Sequence, residues 1–107
     1  MNKIRRKEIY TVCNKLETFK NIQASERRSN LTDIINDIEM ILSDEQYYMD
    51  SIPENMQGGS KYEKAEEACD NLENAISELN EITSESNLQD INLHIDEAID
   101  YLYEAMV

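Results

Sequence analysis

The residues that most often end helices are confined to one short segment of this chain. Both glycines and the only proline lie within residues 53–59, and elsewhere apolar residues recur at three- and four-residue spacing. That spacing lines one face of a helix, whereas a β-sandwich or barrel needs many turn residues. A length of 107 residues suits one domain. The sequence therefore predicts a single all-α domain over residues 1–107, either a three- to four-helix bundle or an elongated helical hairpin with coiled-coil-like seams.

The first two helices are expected over residues 3–24 and 31–51. Polar residues 25–30 separate them, and Asn30 is the expected N-cap of the second helix. The predicted apolar stripe of the first helix comprises Ile9, Val12, Cys13, Leu16, Phe19 and Gln23. That of the second comprises Leu31, Ile34, Ile35, Ile38, Ile41, Leu42 and Tyr48, with Met49 and Ile52 at its end.

The third and fourth helices follow the glycine-containing loop. The third is expected from Lys61 to about Ile82, with Ser60 and Glu63 forming a capping box. The fourth is expected from Leu88, and one continuous helix through residues 83–87 is the alternative. Heptad spacing in the third helix predicts antiparallel packing on the second, through Tyr62, Ala65, Cys69, Leu72, Ile76 and Leu79. The fourth stripe is Leu88, Ile91, Ile95, Ala98, Leu102 and Met106.

The cysteines and the basic start bear on location. No apolar signal segment follows the start, and no stretch approaches the ~20 apolar residues that span a bilayer. We therefore expect a cytoplasmic protein without membrane contact. Cys13 and Cys69 lie among apolar residues and predict two buried, reduced thiols, with a disulfide as the alternative if their helices pack together.

The sequence lacks the usual signatures of an enzyme. His94 is the only histidine, and no glycine-rich phosphate loop is present. Asp90 and His94 are four residues apart, but a di-iron site needs two Glu-x-x-His pairs. We expect a non-enzymatic protein without metal or cofactor, in which His94 lies at the boundary between the stripe and solvent.

Charge divides the chain into a basic and an acidic part. Residues 1–28 carry a net charge of +5, and residues 29–107 carry −18. A basic N-terminal helix packed beside an acidic hairpin and C-terminal helix lowers self-repulsion, which is the simpler interpretation. Direct nucleic-acid binding is less favoured because phosphates repel the acidic part. Such a contact would use Arg5, Arg6, Lys7, Arg27 and Arg28.

The acidic residues predict either a solvated surface or a mimic of nucleic acid. The third helix has a net charge of −5 over about 33 Å, whereas one DNA strand carries a charge per ~3.4 Å. Helices two and four would therefore have to contribute, through Asp33, Asp37 and Asp44 in helix two. The candidate partner-binding residues in helices three and four are Glu63, Glu66, Glu67, Asp70, Glu73, Asp90, Asp96, Glu97 and Asp100.

Tyrosines and methionines cluster at the predicted helix ends. Packing at the core edge is the expected use of Tyr47, Tyr48, Tyr62, Tyr101 and Tyr103. An exposed pair such as Tyr47 and Tyr103 could instead anchor a partner. The methionines that allow the same two uses are Met40, Met49, Met56 and Met106.

Residues 44–76 resemble a helical-hairpin motif of small proteins from bacterial phages and mobile elements. The loop at residues 52–58 reads Ile-Pro-Glu-Asn-Met-Gln-Gly and is followed by a helix rich in Ala, Glu and Leu. The matching positions are Ile52, Pro53, Glu54, Asn55, Gln57, Gly58, Tyr62, Glu63, Ala65, Glu66, Glu67, Ala68, Asp70, Leu72, Glu73 and Ala75. The resemblance covers about a third of the chain and implies a phage or prophage setting, in which small acidic proteins resemble inhibitors of host nucleases, including anti-CRISPR proteins.

Together these features predict an inhibitor of a host defence nuclease. Its acidic helical face would enter the nucleic-acid groove of a CRISPR effector of the Cas9 type. One alternative is a scaffolding protein that forms a homodimer through helices three and four. The other is a small DNA-binding regulator that uses the basic N-terminal helix.

Overall fold

The computed structural model describes residues 1–20, 22, 24–83 and 85–107, which form an all-α bundle of four helices. The helices are α1 (Lys3–Phe19), α2 (Ala24–Asp50), α3 (Ser60–Asn80) and α4 (Leu88–Ala105), and a 3₁₀ turn at Glu54–Met56 lies between α2 and α3. Both α1 and α3 pack against α2 and α4. The four helices therefore stand at the corners of a bundle measuring 50 × 20 × 17 Å, with α1 diagonal to α3.

Neighbouring helices run antiparallel. Arg5 and Lys15 of α1 contact Glu45 and Asp37 of α2, so the partners occur in reverse order along the two helices. Contacts between α1 and α4 follow the same order, and Glu78 near the end of α3 meets His94 near the start of α4. Of the two predicted architectures, the structure has the bundle, and the predicted packing of the third helix on the second is confirmed.

The buried core follows most of the predicted stripes. All five described stripe residues of α1 are buried, and α2 contributes Leu31, Ile34, Ile38 and Ile41. Leu88 was expected in the core and is 60% exposed, because it is the first residue of α4 at the end of the bundle. Ile99 and Ala105 are buried in α4 although the predicted stripe omits them. Both cysteines are buried and unbonded, as predicted.

The predicted boundary between the first two helices is wrong. α1 ends at Phe19 and α2 already begins at Ala24. Asn30 is not an N-cap but lies inside α2, where its Nδ2 donates to the Glu26 carbonyl oxygen at 2.9 Å. Residues 25–30 contain neither Gly nor Pro, so α2 continues through them without an apolar stripe. Residue 28 is therefore no structural boundary, and the predicted stripe residue Gln23 lies outside the described residues.

The predicted capping box is also wrong, whereas the start of α4 is confirmed. Gly59 is the N-cap of α3, and Ser60 is already its first helical residue, one position too late to cap. Asn87 caps α4, its Oδ1 accepting from the Asp90 backbone N–H at 2.8 Å. Because α3 ends at Asn80, one continuous helix is excluded. Within the predicted break, Ser84 lies outside the described residues.

Candidate protein-binding surface

The outer side of α3 carries a dense row of carboxylates. The buried residues of α3 face the core. Because each residue of a helix is rotated by about 100° from the one before it, the acidic residues lie on the opposite, exposed side. We call this row the α3 acidic face, which comprises Glu63, Glu66, Glu67, Asp70 and Glu73. The five residues span about 15 Å, or one carboxylate per ~4 Å. That density approaches the ~3.4 Å phosphate spacing of one DNA strand.

The end of α2 brings further negative charge close to α3. Burial, together with the charges of Glu45, Glu73, Asp70 and Asp50, raises the pKa of the Cys69 thiol to about 11. Asp50 belongs to α2, so its charge joins those of Asp70 and Glu73 around one buried thiol. Asp50 is exposed and therefore adds negative charge to the end of α2.

One predicted acidic residue of α4 points away from α3. Asp96 is exposed, and its Oδ1 accepts from Lys20 Nζ of α1 at 2.6 Å. This hydrogen bond is the main reason why the pKa of Lys20 is raised. Asp96 therefore belongs to the seam between α1 and α4, where a positive charge already compensates it.

Two acidic residues of α4, Asp90 and Glu97, extend the negative surface beside α3. His94 is half-buried, as its predicted boundary position requires, and its Nδ1 lies 3.0 Å from Glu78 Oε2 of α3. Asp90 and Glu97 flank His94 on this side of α4, because residues three or four apart are neighbours on a helix. They are exposed and lie across the α3–α4 seam from the α3 acidic face. Asp100 is also exposed, but it is four residues after Asp96 and therefore lies on the side of α4 that Asp96 occupies.

Arg5, a candidate for nucleic-acid contact, is engaged within the bundle. Its Nε donates to Glu45 Oε2 at 2.6 Å, and its guanidinium lies 5.5 Å from the centre of the Tyr48 ring. Only 12% of the Arg5 side chain is exposed. The structure therefore uses this arginine to join α1 to α2.

The remaining basic candidates lie at two opposite ends of the bundle. Arg6 and Lys7 are exposed near the start of α1, and Arg6 Nε donates to the Met106 carbonyl oxygen at 3.1 Å. Arg27 and Arg28 lie near the start of α2, which runs antiparallel to α1. The structure does not bring these residues together into one basic patch.

Glu45 carries a buried carboxylate that the predicted stripe of the second helix does not include. Among the described residues it is the one buried charged side chain, with 0% exposure. A signal was present, since Glu45 lies seven residues after Ile38 and four after Ile41, within the apolar stripe. An acidic residue at a core position requires a positive partner, here Arg5.

The tyrosines divide between the core edge and the surface. Tyr48, Tyr62 and Tyr101 are half-buried, as core-edge packing predicts. Tyr103 packs edge-on against Tyr10 across the α1–α4 seam, with 6.4 Å between ring centres. Tyr47 is 80% exposed on α2, so Tyr47 and Tyr103 lie on different faces and form no pair.

Metal binding and membrane insertion find no support in the part of the chain that the structure describes. No three His, Cys, Asp or Glu side chains there are placed to hold a metal ion. Among the same residues, no helix combines the length and apolar composition that crossing a bilayer requires. Comparison with known protein families, characterised proteins and solved structures finds no match for this chain.

Proposed function

We propose that this protein is a non-enzymatic inhibitor whose α3 acidic face occupies the nucleic-acid groove of a protein partner. The observation that carries the proposal is the row of five exposed carboxylates at about phosphate spacing. Lys64 is three residues before Glu67 and borders this row on the side of α3 that carries Asn71 and Glu78, towards α4. The outer face therefore carries five carboxylates with one lysine at its edge.

The positive charges of α1 and of its C-cap residue Lys20 do not oppose such a contact. Arg5, Lys15 and Lys20 are paired with carboxylates of α2 and α4. Their helix, α1, is diagonal to α3, so its charges lie on the far side of the molecule. A basic groove approaching α3 would meet a field dominated by the acidic part of the chain, which speeds encounter at low salt.

The partner class follows from the charge and from the resemblance of residues 44–76 to hairpins of phage proteins. Grooves that hold nucleic acid are positively charged, and a CRISPR effector of the Cas9 type holds its heteroduplex in such a channel. A phage- or prophage-encoded inhibitor in the bacterial cytoplasm would exclude DNA from that channel. Its binding and that of DNA would then be mutually exclusive.

Competition with DNA tests the proposal directly. A guide-loaded Cas9-type effector is mixed with labelled target duplex, and displacement of the duplex is measured as the protein is added. We expect displacement at low salt that weakens as salt rises, because the contact is electrostatic. Absence of displacement at low salt would refute an effector of this type as the partner.

Charge reversal locates the contact on α3. The test variant combines Glu63→Lys, Glu66→Lys, Glu67→Lys and Asp70→Lys. The control makes the same change in net charge at exposed positions elsewhere, through Glu17→Lys, Glu26→Lys, Glu54→Lys and Glu85→Lys. We expect the protein concentration needed to displace half of the duplex to rise at least about tenfold for the first variant and much less for the control. Equal losses would show that net charge alone matters and that the α3 acidic face does not.

A further inference from the structure

A groove runs along the seam between α1 and α2, on a side of the molecule that the α3 acidic face does not reach. Val12 and Ile41 form its floor, Met40 stands at its wall, and the ion pair between Lys15 and Asp37 closes one end. The cavity measures about 210 Å³. Small-molecule sites usually measure about 300–1,000 Å³, so this cavity suits one or two side chains of a partner.

Exposed apolar side chains extend the groove to the end of the bundle. Ile4 is 70% exposed, Met40 66% and Tyr47 80%. The contact between Arg5 and Glu45 brings the start of α1 beside the end of α2. Ile4 directly precedes Arg5 and Tyr47 follows Glu45 by two residues, so both lie at the same end of the seam. Met40 is seven residues before Tyr47 and therefore shares its side of α2.

The length of this surface matches a short helix. From Ile4 to Lys15 the α1 wall rises about 16 Å, which equals three helical turns. A helix docked along this length would place residues at positions i, i+3 or i+4, and i+7 against the apolar side chains of the groove. Isolated exposed apolar residues are ordinary on protein surfaces, but three of them along one seam offer several apolar contacts to one partner.

Acidic side chains beside the groove favour a basic occupant. Glu8 lines the cavity on α1, and Asp44 lies on α2 between Met40 and Tyr47. Lys15 is compensated by Asp37, with 2.7 Å between Nζ and Oδ2. A second copy of this chain would bring the same acidic rim and a net charge of −13 against an equal charge, which disfavours self-association.

We propose that this groove binds a basic amphipathic helix of a partner protein. Its apolar residues cover Ile4, Met40 and Tyr47, and its Lys or Arg residues meet Glu8 and Asp44. Met40 suits this use because the flexible thioether side chain adapts to different partners. The inference goes beyond the proposed inhibition and does not rest on the α3 acidic face.

A designed peptide pair tests the occupant. The probe is a fluorescent helix of about four turns with Leu at i, i+3 and i+7 positions and Lys on the other faces. A scrambled peptide of identical composition is the control, because any cationic peptide is attracted to an acidic protein. We expect fluorescence anisotropy to show binding of the amphipathic peptide at least about tenfold tighter than that of the scrambled one. Equal affinities would overturn the proposal.

Substitutions in the groove separate apolar contact from charge. Met40→Asp and Ile4→Asp should each weaken peptide binding about tenfold, although each adds a negative charge that attracts the peptide. Leu93→Asp, at an exposed position of α4, should leave the affinity unchanged. Circular dichroism checks that each variant folds. Unchanged affinity in folded Met40→Asp and Ile4→Asp proteins would overturn the proposal.

Wild-type protein provides a measurement that depends on no variant. Backbone amide NMR shifts on peptide addition should concentrate at α1 and α2 around the groove, and shifts centred on α3 would overturn the proposal.

Sedimentation without peptide should show no concentration dependence. Self-association that is lost in Met40→Asp would assign the groove to a second copy instead. Met40→Asp should displace DNA from the effector as well as the wild-type protein does. The two proposals are therefore tested independently of each other.

Discussion

At the scale of single residues, the ion pair of Arg5 and Glu45 is the contact with the largest expected effect on folding. Glu45 is fully buried, and its Oε1 has no hydrogen-bond partner among the described residues. Moving a carboxylate out of water is costly, and the contact of Oε2 with Arg5 offsets part of this cost. The pair is therefore worth little as a net stabiliser, but losing one member leaves a buried charge alone.

Arg5→Met should lower the free energy of unfolding by about 3 kcal/mol or more, because the carboxylate of Glu45 would stay buried without its cation. Urea denaturation at neutral pH measures this change. Lys7→Met, at an exposed position two residues along α1, is the matched control and should change stability by less than about 0.5 kcal/mol.

The double variant Arg5→Met/Glu45→Met distinguishes the cause. Replacing a buried pair by apolar residues of similar size is often neutral or stabilising. We expect it to recover most of the stability lost in Arg5→Met. A double variant as unstable as the single one would show that arginine packing, including its position near the Tyr48 ring, is the main contribution.

At the scale of helices, the ends differ in how their free backbone groups are satisfied. Asn2 and Asn87 cap α1 and α4, each accepting a backbone N–H through its side chain at 2.8 Å. Gly59 precedes α3 and offers no side chain, so its backbone oxygen alone receives the Glu63 N–H. The start of α4 therefore depends on one side chain more than the start of α3 does.

Asn87→Ala should destabilise the protein by about 1 kcal/mol, because the Asp90 N–H loses its acceptor. For a domain of this size that corresponds to a fall of about 4 °C in Tm, which thermal unfolding followed by circular dichroism can resolve. Asn87→Ser keeps a capping oxygen and should stay near the wild-type Tm. Equal Tm values for the Ala and wild-type proteins would show that the cap adds nothing.

At the scale of the whole molecule, net charge opposes compaction. A charge of −13 is confined within a bundle of 50 × 20 × 17 Å. The pairs Lys15–Asp37 and Lys20–Asp96 relieve this repulsion only along the seams of α1. They are partly exposed, so each contributes about 1 kcal/mol at most.

Salt should therefore stabilise this protein. Raising NaCl from about 20 to about 300 mM shortens the Debye length from roughly 20 Å to below 8 Å and screens the repulsion across the bundle. We expect the urea midpoint to rise with salt. The variant with four α3 carboxylates changed to Lys is less negatively charged, so its urea midpoint should rise less. A midpoint that falls with salt would mean that ion pairs dominate.

Most of the local structure could be predicted from the sequence. The stripe Ile9, Val12, Cys13, Leu16 and Phe19 is buried as its spacing predicts, because helical periodicity alone puts these side chains on one side. The start of α4 at Leu88 could be predicted because Asn87 caps it. The polar residues 25–30 predict a break because they lack an apolar stripe, but they contain neither Gly nor Pro and α2 runs through them.

The sequence by itself determined that the chain is helical, which side most of the apolar side chains turn to, and that negative charge dominates after residue 28. Only the tertiary structure decided which charges meet. Asp96 pairs with Lys20 across the α1–α4 seam, Asp50 joins Asp70 near Cys69, and Arg5 enters the bundle to meet Glu45. Periodicity acts within one helix over a few residues, whereas these contacts depend on which helices are neighbours and on their relative positions along the bundle.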